Sequence, residues 1–173
     1  LAAAITPALY TDENLYCLVI GRMANTSLEH GNSDASGYGY AILGTVLGRR
    51  FNDYKSAFRF GELGFKLVTQ LGLDRFKARV YVTFGHHIIP WTKHIRTSRE
   101  LLQQALDAAH DAGDLTYGAF SRTHFVTHLL ACGDPLDAVQ RAADAGLDFA
   151  RQSRFGLVVD RITGQRQLIR TLR

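Results

Sequence analysis

The chain has 173 residues, 46% of them hydrophobic, and 20 Lys and Arg against 16 Asp and Glu give a net charge of +4. That length and apolar content suffice for one buried core. The modest, scattered charge argues against a dedicated nucleic-acid surface, and no apolar run nears the roughly 20 residues of a bilayer-spanning helix, so membrane insertion is not expected.

The opening Leu1-Ala2-Ala3-Ala4-Ile5 has no initiator Met, basic region or cleavage pattern, and reads as the edge of an excised segment, not a signal peptide. A first helix is predicted from about Asp12 to His30, where Leu15, Cys17, Leu18, Val19 and Met23 make a wide apolar face. Asn32-Ser33-Asp34 supplies a turn and an N-cap, and a second helix runs to about Arg49. Asn52-Asp53 caps a third, from about Tyr54 to Leu71, ended by Gly72. A fourth runs from about Asp74 to Ile89 and stops at Pro90, which has no N–H to continue it.

A fifth helix, from about Ser98 to Ala112, ends at Gly113-Asp114, and a sixth spans about Leu115 to Cys132. Gly133-Asp134-Pro135 combines a terminating Gly, an Asp cap and a Pro at the start of a seventh helix, Leu136 to Gln152. The eighth begins near Gly156 and carries Leu157, Val158, Ile162, Leu168, Ile169 and Leu172. Arg151, Arg154, Arg161, Arg166, Arg170 and Arg173 crowd this end, but Asp148 and Asp160 interleave them and no aromatic platform accompanies them, as in a solvated or domain-docking helix. Cys17 and Cys132 fall within helices and are too few for a disulfide framework, which suits a cytoplasmic location.

A gapless period of 41 residues runs through these elements. It relates Gly31 to Gly72 and Gly113, Gly44 to Gly85, Tyr40 to Tyr81, and Gly64 to Ala105 and Gly146. A period near 40 with two helices per unit marks an α-solenoid, whose units bury their cores against neighbours. The small residues at repeating phase, with Gly61, point to close helix approach, because glycine inside a helix costs about 1 kcal/mol relative to Ala and needs a compensating contact. The expected fold is all-α: a right-handed α-solenoid of about four antiparallel helix pairs, filling residues 1–173 as one helical-repeat domain, an internal fragment of a larger protein.

Leu43-Gly44 followed by Asp53-Tyr54-Lys55-Ser56-Ala57 resembles the tetratricopeptide pattern, with a turn one residue longer than usual. Phe84-Gly85 and Gly133-Asp134-Pro135-Leu136-Asp137-Ala138 resemble later repeats, although Val126 stands where a small residue is expected and a long turn holds Pro90 and Trp91. Gly113-Asp114-Leu115-Thr116-Tyr117-Gly118-Ala119 and the stretch Ile162 to Arg173 resemble the helical-repeat region of large bacterial signalling proteins. Those proteins join a serine/threonine kinase-like domain and an AAA-type ATPase to repeats, a GAF sensor and a histidine kinase. The resemblance implies a non-catalytic scaffold between the ATPase and sensor modules, with other domains of the same polypeptide, or protein and peptide segments, as partners.

In tetratricopeptide phase the first helix of each pair lines a concave groove. This places Tyr38, Thr45, Arg49, Arg79, His86, Phe120 and Thr127 there, and aromatic and Arg side chains make good anchors for a peptide. The alternative is an independent repeat domain that binds a peptide or dimerises through an uncapped end.

Candidate chemistry is sparse. His124 and His128 stand at i and i+4, a spacing that can present two imidazoles to one metal, with His86, His87, His94 and His110 as further donors. No Glu completes an H-E-x-x-H pattern, so a His-dependent metal protein is the remote reading and no cofactor is expected. Gly39 to Thr45 has the outline of a phosphate loop without its Lys, and Gly37-x-Gly39 follows no strand. No G-x-S-x-G elbow occurs, neither Cys has a triad setting, and Asp107, Asp111 and Asp114 read as solvated or capping groups. An autonomous enzyme is not expected.

Overall fold

The computed structural model describes residues 1–173, which form helices joined by short turns, with no β-strand. The α-helices are α1 (Ile5–Thr11), α2 (Glu13–His30), α3 (Ser36–Phe51), α4 (Tyr54–Gln70), α5 (Lys77–Val82), α6 (Arg99–Asp111), α7 (Leu115–Ala131), α8 (Leu136–Gln152) and α9 (Gly156–Leu172). Aspartates start three of them by accepting first-turn amides: Asp12 from Asn14 and Leu15, Asp53 from Ser56, and Asp114 from Tyr117. All eight expected helices are present. The fourth differs in kind, because α5 is short and continues as a π-turn over Thr83–Ile88 and a 3-10 turn over Ile89–Trp91. Unexpected is α1, which buries Ile5 and Ala8, one turn apart, against the body of the protein.

The 41-residue period has a backbone cause. Gly31, Gly72 and Gly113 all end helices with positive φ, of 91°, 62° and 64°, which only glycine adopts without penalty; Gly31 is the more extended of them, with ψ 170°. One period beyond Gly113 lies Arg154, also left-handed at φ 54°. Its turn repeats the earlier one bond for bond: Asp114 N–H donates to Ala109 and Gly113 N–H to His110, as Phe155 N–H does to Ala150 and Arg154 N–H to Arg151. An exposed arginine thus occupies a glycine position.

Each long helix packs on the next, and α3, α5, α7 and α9 also touch in succession. The closest pair is α3 with α4. A Cβ on Gly64 would lie 2.3 Å from the Gly37 carbonyl oxygen, and one on Gly44 would lie 2.6 Å from that of Ala57, so glycine sets the spacing of these two helices.

The buried apolar residues fall into two clusters. One draws on α1 to α6 and includes Ile20, Tyr38, Val68, Val80 and Leu101; the other draws on α7 to α9 and includes Val126, Leu147, Val158 and Ile162. Much of the seam between them is polar. Arg79 Nε meets Asp114 Oδ2 at 2.8 Å, the Tyr38 and Tyr117 hydroxyls share a 2.5 Å hydrogen bond, and Arg96 Nη2 donates to the Cys132 carbonyl at 2.6 Å.

Two substitutions test this account by urea unfolding. Arg154→Gly relieves the left-handed strain and raises stability by about 1 kcal/mol. Gly64→Ala forces α3 from α4 and lowers it by about 1–3 kcal/mol, despite the better helix propensity of alanine.

Candidate functional site

Helices α3, α5, α7 and α9 face a channel closed on its other side by α1 and Tyr16 of α2. A cavity of about 360 Å³ there is lined by Tyr38, Thr45 and Arg49 of α3, His87 of the π-turn, Phe120 and His124 of α7, Arg161 of α9, and Leu9 and Tyr10 of α1, among others. A second cavity of about 190 Å³, bounded by Tyr54 and Trp91, shares Arg49 and His87 with it. Neither wall contains a carboxylate. Arg49 and Arg161 are exposed and form no ion pair.

Of the seven residues expected in a groove, Tyr38, Thr45, Arg49 and Phe120 line this channel. Their exposure differs. Tyr38 and Thr45 are buried at 1% and 7% exposure and act as packing, whereas Arg49 is open and Phe120 half-buried. Arg79 lies behind the wall, bonded to Asp114 and set against the rings of Tyr38, Phe76 and Tyr117. Thr127 turns toward α9, where its hydroxyl accepts from Gln165 Nε2 at 2.9 Å. His86 belongs to the histidine cluster beside the channel.

That cluster arises from a local irregularity. The π-turn falls just before Pro90, which has no N–H to offer the His86 carbonyl one α-turn back. Adjacent residues of a regular helix diverge by about 100°, yet in this wider turn His86 and His87 both reach His124 of α7. Ring centroids are 3.6 Å apart for His86 and His124, 4.7 Å for His86 and His87, and 5.5 Å for His87 and His124. One ring nitrogen from each lies within 4.8 Å of the other two. The pair singled out by helical spacing, His124 with His128, is not the converging set: His128 is fully buried behind His86, and His87 takes its place. Of the other donors considered, His94 caps a 3-10 turn by accepting from Arg96 N–H, and His110 lies exposed beside Asp111.

We assign the tautomers behind the cluster by placing the Ser98 hydroxyl proton on the shorter of its two contacts. The single Ser98 hydroxyl proton goes to the Ile95 carbonyl at 2.8 Å, so toward His128 Nδ1, 3.2 Å away, Ser98 Oγ is an acceptor. His128 therefore carries its proton on Nδ1 and accepts at Nε2 from His86 Nδ1–H, 3.1 Å away. The Nε2 of His86 is left bare.

Burial is the first cause holding all four imidazoles below their ordinary pKa. It brings His86 to about 3 and His87 and His128 to about 4, and places His124 well below 6.5. Arg161 of α9 adds to the depression of His86, His87 and His124, and Arg49 of α3 to that of His87. The same burial raises the Tyr38 and Tyr117 hydroxyls above their ordinary value and pushes Tyr16, also in the channel wall, to about 12.

Because an unfolded histidine titrates near 6.5, the unfolded chain takes up these protons first. Stability is full above about pH 6.5 and falls as the pH drops toward the folded-state values of about 4 and about 3. Thermal unfolding followed by circular dichroism shows Tm declining from pH 6.5 to 4, and His86→Gln loses less over that window.

No protein-family model, no curated protein and no solved structure matches the chain, so its function is argued from this channel and its chemistry.

Proposed function

We propose that the chain is a non-catalytic docking domain whose channel receives an acidic segment of a partner protein. One observation carries this reading: two adjoining cavities, floored by aromatic and aliphatic side chains, share an unpaired Arg49 and contain no carboxylate. A carboxylate from outside gains charge-assisted hydrogen bonds there without displacing an internal partner. Phe120, Tyr10 and Trp91 supply the flat surfaces on which an apolar neighbour can lie.

The succession of α3, α5, α7 and α9 contacts, with α4, α6 and α8 as alternate members, supports a solenoid as the architecture of this surface, and its right hand is part of the proposal. The resemblance to bacterial multidomain signalling proteins supplies the setting: a cytoplasmic repeat segment coupling an ATPase module to a sensor histidine kinase, with the occupant drawn from a neighbouring domain. A second reading, self-association, is favoured by leucines exposed at both ends of the chain. Leu15 and Leu18 of α2 are 47% and 69% exposed, and Leu168 and Leu172 of α9 are 50% and 58% exposed.

Fluorescence anisotropy with neighbouring domains and labelled acidic–aromatic peptides tests docking, with light scattering to verify fold and mass. Arg49→Glu with Arg161→Glu abolishes binding, and Phe120→Ala weakens it by about tenfold. Added salt weakens the wild type as well. Unchanged affinity in the double variant rejects the channel. A wild-type dimer that Leu18→Glu converts to a monomer supports self-association.

A further inference from the structure

We propose that His86, His87 and His124 bind one divalent late first-row transition-metal ion, Zn²⁺ being the reference case, with the remaining coordination position open to the channel. This goes beyond the docking reading and does not depend on it.

The first support is convergence. Three imidazoles from two separate elements, the π-turn and α7, bring one nitrogen each within 4.8 Å of the others. Tetrahedral coordination at about 2.0–2.1 Å brings ligand nitrogens to about 3.3 Å apart, so metal binding requires His86 and His124, now stacked at 3.6 Å and 23°, to turn out of their face-to-face contact and aim both lone pairs at the ion. The rings are half-buried on backbone fixed by packing at Phe84, Ile88 and Val126, while His87 and His124 also form part of the channel wall. Ligand access therefore exists from one side.

The second support is independent of that distance. An imidazole that binds metal through one nitrogen ordinarily donates its other N–H to a fixed acceptor, which sets its tautomer. The relay from Ser98 through His128 does this for His86, presenting its bare Nε2 as the lone pair. His128 and Ser98, at 1% and 0% exposure, are positioning residues in this scheme.

The donor set determines the ion. Three neutral imidazoles without carboxylate or thiolate suit Zn²⁺, Co²⁺, Ni²⁺ or Cu²⁺, and are unsuited to Mg²⁺ or Ca²⁺, which take oxygen. Arg49 and Arg161 add positive charge nearby, but both are exposed and able to swing toward solvent. Their presence favours an anionic group or hydroxide, rather than a fourth neutral donor, at the open position.

The test uses the full chain, stripped with chelator and titrated with Zn²⁺ by calorimetry and with Co²⁺ by visible absorption. One ion binds per chain with micromolar or tighter affinity, Tm rises, and Co²⁺ gives the intense visible bands of a low-coordinate nitrogen site. His87→Gln and His124→Gln each weaken binding by at least about 100-fold, and Ser98→Ala by about 10–100-fold. His30→Gln and His110→Gln leave binding unchanged. Circular dichroism establishes that each variant is folded. Should His87→Gln or His124→Gln unfold, the wild-type Co²⁺ spectrum and stoichiometry decide. The proposal is overturned if the wild type binds none of these ions at 1:1 up to millimolar concentration, if the folded channel variants bind as tightly as wild type, or if His110→Gln abolishes binding.

Discussion

A layer of directional bonds joins α3, α5 and the π-turn to the N-cap and body of α7. On either side lie apolar clusters that owe their cohesion to water exclusion. Between them the chain has placed imidazoles, a tyrosine pair and an Arg–Asp bond, each of which must find a partner or lose solvation without return. The partners are found: tyrosine to tyrosine, Arg79 to Asp114, His86 to His128, His128 to Ser98. Orientation across the seam is thus set by directional bonds. Within each cluster it is set by shape, as the glycine-spaced approach of α3 to α4 demonstrates.

Directional bonding also explains why the histidines lie where they do. A regular helix through residues 83–88 would point His86 and His87 apart, and one of them would leave α7. Loss of an amide donor at Pro90 and the register change before it bring both onto one side. The irregular backbone and the polar cluster are then two aspects of one feature. Neither the channel floor nor the tautomer relay would survive if the turn reverted to an ideal α-helix.

Much of the fold was legible in the chain. Helix ends were marked by local signals: Asp53 and Asp114 accept first-turn amides, and the glycines at 31, 72 and 113 adopt positive φ. Such signals are local, so sequence carries them without knowledge of neighbours. Helix α1 escaped because its evident pattern is short, Ile5 and Ala8 only, and its burial depends on a wall built by residues far along the chain. The 41-residue phase marks equivalent positions on α3, the α5 segment and α7, but spacing cannot distinguish Arg49, which is open, from Arg79, which is bonded to Asp114. Helical i, i+4 spacing places His124 with His128 first and His87 only among the further donors, whereas the converging set spans a π-turn and its neighbour. The adjacent His86-His87 pair just before Pro90 was the available clue.

The partition into two water-excluding clusters and a hydrogen-bonded joint has a mechanical corollary. Pulling apart an apolar layer exposes its whole area at once, so resistance is stiff and failure abrupt. A polar joint yields differently, since water can replace each broken bond in turn and lower the work of small displacements. Helix α6 packs on both α5 and α7 and bridges this joint, while α3 and α4 are held by their glycine contacts. Ser98, His128 and His86 are linked in series across the same layer, so one shear would stretch those bonds together.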